Sequence, residues 1–278
     1  MATVTKPVLE IRDASMTFGA RTLWSNLNLA VQPHEFIAVI GSNGSGKSTL
    51  LKAILGQQEL TEGGIKVLGR SVRNKRGQRG NRRIGYIPQN RAMDTGLPLR
   101  GRDLLHFGLD GHEFGLPHLP FSKHTREHKR RVERMIEAIG ASAFANKTVG
   151  TLSGGELQRL RVGQAVIGEP RLILADEPLS ALDLHQQKTI AELLDRERRE
   201  HEAAVLFVTH DVNPVLDMVD RVLYLANGKF SIGTPDEVLR SDVLSELYGT
   251  PVDVVRNQGR IVVVGTHEHD HHPDEEWN

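Results

Sequence analysis

The chain has 278 residues, of which 35 are Lys or Arg and 35 are Asp or Glu, so its formal net charge is zero. A chain of this length forms one large or two modest domains with a substantial hydrophobic core. The balanced charge argues against a protein that coats nucleic acid. The sequence has no cysteine, which excludes disulfides, thiolate zinc sites and cysteine nucleophiles and favours a reducing, cytosolic setting.

The first residues, MATVTKPVLEIRD, lack the apolar core and small-residue cleavage site of a secretory signal. Apolar runs such as 203–208 are far shorter than the ~18 residues that cross a bilayer. We therefore expect a cytoplasmic chain that owes any membrane association to a partner.

The beginning of the chain predicts β-structure followed by a strand, a loop and a helix. Short alternating apolar patterns over 8–36 predict antiparallel strands. An apolar run at 35–40 predicts a further strand, which enters a glycine-rich turn. The leucines and alanine of 47–55 fit helix spacing, and Gly56 is placed to end that helix.

Strands and helices then alternate. Runs at 65–68 and 84–87 predict strands, and 100–167 is mostly helical. One helix there carries an apolar face formed by Val132, Met135, Ile136 and Ile139. Buried-strand patterns follow at 171–175, 204–208 and 221–225, and the helix between the first two has Ile190, Leu193 and Leu194 on its apolar side. The alternation predicts an α/β fold with a mostly parallel sheet covered on both faces, an antiparallel N-terminal part and an inserted helical subdomain.

The predicted organisation is a main domain over 1–240, with the helical subdomain at about 90–167. A small extension, 241–265, contains short helical and strand-like stretches. The tail, 266–278, has no periodicity and is expected to be disordered.

A phosphate-binding loop follows the 35–40 strand. Gly41, Gly46, Lys47 and Ser48 fit the pattern G-x-x-x-x-G-K-[ST] between a strand and a helix. Glycines let backbone N–H groups surround phosphate oxygens, and the helix N-terminus adds partial positive charge. Lys47 would reach the β- and γ-phosphates, and the Ser48 hydroxyl would bind Mg²⁺. The predicted nucleotide-binding residues of this loop are Gly41, Ser42, Asn43, Gly44, Ser45, Gly46, Lys47, Ser48 and Thr49.

Two carboxylates follow the strand at 171–175, in the sequence RLILADEP. Asp176 would emerge at the edge of the sheet where a P-loop enzyme places another Mg²⁺ contact. Glu177 is then free to polarise an attacking water as general base.

The sequence LSGGE at 152–156, together with GSNGSGKST and LADEP, resembles the ATP-binding cassette (ABC) ATPases. The resemblance covers about residues 8–240 and implies ATP and Mg²⁺ as cofactors. It also implies that Ser153, Gly154 and Gly155 open a helix aimed at the γ-phosphate of an ATP held by a second copy of the chain.

Other positions carry over one by one. Gln89, in YIPQN, resembles the glutamine that contacts Mg²⁺ and water, and Asp183, in SALD, resembles the residue that communicates between two active sites. His210, in VTHD, resembles the histidine that touches the γ-phosphate and helps to hold the attacking water. Phe18 takes the place of an aromatic, often Tyr, that stacks on adenine. Glu156 replaces a commoner glutamine, and neither departure removes a hydrolytic group.

A single cassette without a transmembrane segment resembles the separate ATPase subunit of a multi-chain importer. The implied assembly is a homodimer on the inner face of the cell membrane, beneath integral-membrane permease subunits and working with an extracytoplasmic metal-binding protein. The segment 90–121 would supply part of the permease-docking face.

Residues 241–264 resemble the C-terminal extension of ATPases in the zinc and manganese branch of the metal importers. The tail supports this prediction with a set of metal-ligating side chains at His267, His269, His271 and His272, interleaved with Asp270. These ligands suit Zn²⁺, Mn²⁺ or related ions in a weak or shared site. A solvated polar tail is the alternative.

Three functions stay open on the sequence: import of a divalent metal, import of another solute such as an iron chelate, and a soluble ABC ATPase of DNA repair or translation. Basic stretches at 70–83 and 123–134 fit a solvated surface or contact with anionic lipid headgroups. Nucleic acid is not expected as a partner, because no aromatic residues are interleaved there to stack bases.

Overall fold

The computed structural model describes residues 6–72, 81–89, 98–110 and 123–265. Its strands are β1 (Leu9–Phe18), β2 (Arg21–Val31), β3 (Phe36–Gly41), β4 (Glu62–Val67), β5 (Arg70–Ser71), β6 (Ile84–Ile87), β7 (Leu172–Asp176), β8 (Ala204–Val208), β9 (Arg221–Ala226), β10 (Lys229–Gly233), β11 (Val252–Asn257) and β12 (Arg260–Gly265). Its α-helices are α1 (Lys47–Ile54), α2 (Gly101–Asp110), α3 (Lys123–Ala138), α4 (Gly154–Val166), α5 (Leu184–Glu200), α6 (Pro235–Val238) and α7 (Ser241–Tyr248).

The central sheet of the described residues has the strand order β10-β9-β3-β8-β7-β6. Neighbours from β9 to β6 pair in parallel, and β10 adds an antiparallel edge. The predicted mostly parallel sheet is confirmed. A second sheet, ordered β2-β1-β4-β5, is antiparallel throughout and confirms the prediction for the N-terminal part.

Parallel pairing brings four segments to one edge of the central sheet. The phosphate loop follows β3, Gln89 follows β6 and His210 follows β8. Asp176 is the last residue of β7. In open α/β sheets this edge is where ligands bind. The topology therefore brings together residues that are up to 169 positions apart in the sequence, from Gly41 to His210.

Both faces of the central sheet are buried, as the unbroken apolar runs predict. Phe36 and Ala38 of β3 face the helical side, whereas Ile37 and Val39 face α1 and the antiparallel sheet. All four side chains are fully buried. The period-2 alternation of a strand thus serves two separate cores.

Helices α2, α3 and α4 lie between β6 and β7 in the chain. The predicted apolar face of α3 is confirmed, with Val132, Met135 and Ile136 buried and Ile139 just beyond the helix. A Cβ on Gly163 would lie 2.9 Å from Leu105 Cδ2, so this glycine lets α2 and α4 pack closely. The helical layer also carries the LSGGE sequence at the start of α4.

The C-terminal unit consists of α6, α7 and a hairpin formed by β11 and β12. Leu244, Leu247, Val252 and Ile261 bury its apolar side in the same core as the helical layer. The tail 266–278, with its four predicted metal ligands, lies outside the described residues.

Candidate functional site

The phosphate loop has a backbone that requires glycine at defined positions. Gly41, Gly44 and Gly46 have φ angles of +149°, +76° and +101°. A Cβ on Gly41 would lie 2.0 Å from the carbonyl oxygen of Leu225 on β9. Because that contact is with the backbone, no side-chain movement relieves it. The glycines thus allow the chain to turn tightly from β3 into α1.

Lys47 lies inside this loop. Its ammonium donates to the carbonyl oxygens of Gly41, at 2.7 Å, and Ser42, at 2.9 Å. The side chain is buried, and burial lowers its pKa, while the charges of Glu177 and Asp176 act in the opposite direction. The loop therefore holds a cation at the position where phosphate oxygens would replace its carbonyl partners.

Ser48 and Asp176 form a pair of oxygen ligands at the sheet edge. The Ser48 hydroxyl donates to Asp176 Oδ1 at 3.0 Å. Asp176 is 4% exposed, and burial raises its pKa. The Ser48 hydrogen bond opposes this shift, and the charge of Glu177 adds to it. A hydroxyl and a buried carboxylate side by side supply the oxygen ligands that Mg²⁺, a hard cation, prefers.

Glu177 brings the predicted catalytic residues together. Gln89 Nε2 donates to Glu177 Oε2 at 3.3 Å, and His210 Nδ1 lies 3.9 Å from Glu177 Oε1. Glu177 has a φ of +49°, a left-handed conformation that is strained for a side chain of this size. Its carbonyl accepts from both the backbone N–H and the hydroxyl of Ser180, which stabilise the turn. The carboxylate is thus held at the edge of the sheet between an amide and an imidazole.

The LSGGE residues form the N-terminus of α4. The Ser153 hydroxyl accepts from the Glu156 N–H, and the Glu156 carboxylate accepts from the Ser153 N–H at 2.8 Å, a complete capping box. That second bond is the main cause of the lowered pKa of Glu156, with Lys147 contributing at 3.2 Å. The contact of Ser153, Gly154 and Gly155 with a second copy's ATP stays a prediction.

Phe18 ends β1 with 48% of its surface exposed, so its ring is available for contact. Arg21 begins β2, and its guanidinium donates to the carbonyl of Gly44 at 3.0 Å. This bond ties the turn after Phe18 to the phosphate loop. The stacking of Phe18 on adenine stays a prediction, and the contribution of Arg21 was not predicted from the sequence.

Other residues that support the site were not predicted from the sequence. Trp24 is fully buried, and a Cβ on Gly46 would lie 2.9 Å from its Nε1. Gln158 of α4 is also fully buried and donates to the carbonyl of Pro178, next to Glu177 in the chain. Asp183, predicted to act between active sites, caps α5 by accepting from the Gln186 N–H at 2.8 Å.

The phosphate loop encloses Lys47, and Asp176, at the end of β7, pairs with Ser48 and is followed directly by Glu177. These features define a P-loop nucleotide-binding site. The family comparison narrows this class. Residues 24–180 match the ABC transporter family model. The chain belongs to the ABC transporter family, as an ATPase of the kind that is coupled to transport.

Two relatives match nearly their whole length. The manganese transport system ATP-binding protein MntB of Halalkalibacterium halodurans is 30% identical, over 93% of this chain and 98% of the relative. The hemin import ATP-binding protein HmuV of Pseudomonas aeruginosa is 34% identical, over 91% of this chain and 97% of the relative. The predicted resemblance to ABC importer ATPases is confirmed, while the two relatives differ in cargo.

Solved structures agree with this assignment. A chain of an inward-facing transporter described as of the metal-chelate type superposes with a TM-score of 0.73 at 25% identity, covering 95% of this chain and 99% of that chain. A dimeric ATP-binding cassette in a post-hydrolysis state, bound to ADP and Pi, gives a TM-score of 0.68 at 26% identity, covering 81% of this chain and 98% of that chain. Within the described ranges, no helix combines the length and apolar character of a membrane span.

Proposed function

We propose that this chain is the ATP-hydrolysing, energy-coupling subunit of a multi-chain importer for a divalent metal ion such as zinc or manganese. The observation that carries the proposal is the near-complete match to a manganese transport ATPase, on a chain whose predicted hydrolytic residues lie together. Residues 1–240 would form the ATPase domain, followed by the 241–265 extension and the 266–278 tail.

Hydrolysis would depend on charges that the fold has already placed. Lys47 would release the carbonyls of Gly41 and Ser42 and bind the β- and γ-phosphates. Glu177 would accept a proton from the attacking water as the water oxygen bonds to the γ-phosphorus and the bond from that phosphorus to the β,γ-bridging oxygen breaks, which releases ADP and inorganic phosphate. His210 would contact the γ-phosphate and orient that water. The fold holds Glu177 and His210 3.9 Å apart, which would lower the reorganisation needed in the transition state.

Ser48, Gln89 and Asp176 would hold the Mg²⁺ that accompanies ATP. When bound, the ion would neutralise negative charge on the phosphate oxygens. The fit rests on the Ser48–Asp176 pair at 3.0 Å and on the low exposure of Asp176. Gln89, whose amide reaches Glu177, would link this ligand set to the proposed base.

The working unit would be a homodimer in which Ser153, Gly154 and Gly155 of one copy face the ATP of the other. The capping box leaves the N-terminus of α4 ordered, and such a terminus attracts phosphate. The dimer would lie on the cytoplasmic face of the membrane, against two permease subunits that receive substrate from an extracytoplasmic binding protein. Of the proposed docking segment 90–121, residues 98–110 are among those that the structure describes, and they contain α2.

The alternative cargo is an iron chelate such as hemin, because a hemin import ATPase matches over a similar length. Reconstituting the ATPase with its permease and binding protein in liposomes separates the two. We expect Mn²⁺ or Zn²⁺ bound to the binding protein to stimulate ATP hydrolysis, with hemin inactive. Stimulation by hemin alone would overturn the metal assignment, and co-purification with ribosomes or DNA in place of a permease would overturn the transport role.

The tail would add metal regulation to this activity. His267, His269, His271 and His272 would sample cytosolic metal and reduce import as it accumulates. Deleting 266–278 is expected to abolish weak Zn²⁺ or Mn²⁺ binding by the isolated ATPase and to make transport less sensitive to internal metal. Unchanged binding and unchanged metal dependence would refute this role.

A further inference from the structure

The C-terminal hairpin is bonded directly to the loop that carries His210. Asn213 Nδ2 donates to the carbonyl of Ile261 on β12 at 2.9 Å, and the Ile261 N–H donates back to Asn213 Oδ1 at 2.8 Å. A residue pair in an antiparallel ladder exchanges the same two kinds of bond. The side chain of Asn213 therefore extends the hairpin by one rung.

The other bonds of Asn213 reach back toward His210. Its N–H and its Nδ2 both donate to Asp211 Oδ1, at 2.9 and 2.7 Å. The Asp211 N–H in turn donates to the Thr209 hydroxyl, which donates to the Asp211 carbonyl. The residues on both sides of His210 are thus linked in one hydrogen-bonded loop that ends on Ile261.

The histidine depends on this loop for its position. The His210 side chain is 68% exposed and lies 3.9 Å from the Glu177 carboxylate. An exposed imidazole is confined less by packing than by its backbone. A cleft of about 440 Å³ is lined by His210, Gly41 and Ser42 together with Val262 and Val263 of the hairpin. The hairpin therefore borders the nucleotide site itself.

The hairpin is a firm support because other contacts fix it to the core. Val252 and Ile261 are buried. The Val254 N–H donates to the Ser241 hydroxyl of α7 at 2.9 Å, a bond that does not involve residues 209–213. The hairpin is thus held both by its contacts with the core and α7 and by its bonds to Asn213. Asn213 is also hydrogen-bonded to Asp211, the residue next to the proposed catalytic histidine.

We propose that Asn213 is a positioning residue that uses the C-terminal hairpin to hold His210 in register with Glu177 and the phosphate loop. The inference rests on the role proposed above for His210. It also places the start of the tail, which follows Gly265 of β12, on an element bonded to the catalytic loop. Displacing the hairpin would lower the rate of hydrolysis without removing a group that binds ATP.

The test compares Asn213→Ala with Ser241→Ala in the full-length protein, under single-turnover conditions with enzyme in excess. Each variant removes hydrogen bonds to the same hairpin, and only Asn213→Ala frees the His210 loop. We expect Asn213→Ala to lower the hydrolysis rate about tenfold with ATP affinity unchanged, and Ser241→Ala to leave the rate near wild type. If Asn213→Ala does not melt cooperatively, Asn213→Ser, whose shorter hydroxyl side chain cannot make both bonds to Ile261, replaces it and should show a loss in the same direction.

A double variant decides whether Asn213 acts through His210. We expect His210→Ala with Asn213→Ala to be no slower than His210→Ala alone. An additive loss, or an unaffected Asn213→Ala beside a slow His210→Ala, would overturn this inference alone. A His210→Ala variant with wild-type rate would overturn the role proposed for His210, and this inference with it.

Discussion

Replacing Asp176 with Asn should make the nucleotide-free protein more stable and unable to hydrolyse ATP efficiently. The fold buries this carboxylate to 4% exposure, and burial raises its pKa. An amide of nearly the same shape keeps the acceptor for the Ser48 hydroxyl, now 3.0 Å from Oδ1. The variant therefore removes a desolvated charge without opening a cavity, at the expense of a proposed Mg²⁺ ligand.

The expected gain is about 1 kcal/mol in the free energy of unfolding, typical of relieving strain at a functional site. In a domain of this size that raises the melting temperature by roughly 2–4 °C. The pH dependence of this gain follows from the linkage between proton binding and folding. The folded state holds the Asp176 proton more tightly than the unfolded chain, so wild-type stability falls as pH rises from the ordinary Asp pKa through the raised folded value.

Melting curves of nucleotide-free wild type and Asp176→Asn between pH 4.5 and 8 measure this difference. The advantage of the variant should be largest at pH 8 and shrink as the pH is lowered. Asp217→Asn, at an exposed position, is the matched control because it changes the net charge equally without removing a buried charge. If Asp176→Asn melts below wild type at pH 8, the buried Asp176 carboxylate does not destabilise the fold. A difference in melting temperature that is the same at every pH would refute this reasoning as well.

Three further results are expected. Gly41→Ala should weaken ATP binding roughly tenfold or more in a titration with a fluorescent analogue, because its Cβ would meet the Leu225 carbonyl at 2.0 Å; near-normal affinity would contradict the geometry. Phe18→Ala should weaken ATP binding about fivefold if the ring stacks on adenine, whereas Phe18→Tyr should not. Arg198→Met should lower the free energy of unfolding by about 2 kcal/mol in urea, since the buried Asp195 loses its 2.7 Å contact with Arg198 while keeping Arg199 at 2.8 Å.

The sequence predicted that the proposed site residues lie near one another, because they belong to short local patterns. Lys47 and Ser48 follow one strand, and Glu177 and His210 follow others, so a parallel sheet was enough to bring them to one edge. The unbroken apolar run of β3 predicted burial on both faces. Glu156 stands where a glutamine is commoner, and it forms a capping box that a glutamine could also form. Its negative charge is paired with Lys147.

The supporting contacts could not be predicted in this way. Arg21 contacts Gly44 from 23 residues away, and Asn213 contacts Ile261 from 48 residues away. Neither residue stands in a periodic pattern, and each owes its role to a backbone group brought near by the tertiary fold. The burial of Trp24 against Gly46 likewise depends on how the antiparallel sheet packs on α1.

Glu177 is the residue proposed above as the general base of an ATPase that couples hydrolysis to transport. The most direct test of this role is Glu177→Gln in the full-length protein, measured for ATP binding, ATP hydrolysis and oligomeric state. We expect ATP binding to persist, hydrolysis to fall by at least about 100-fold, and ATP to trap the chain as a dimer. Hydrolysis at the wild-type rate would contradict the role of Glu177 as base.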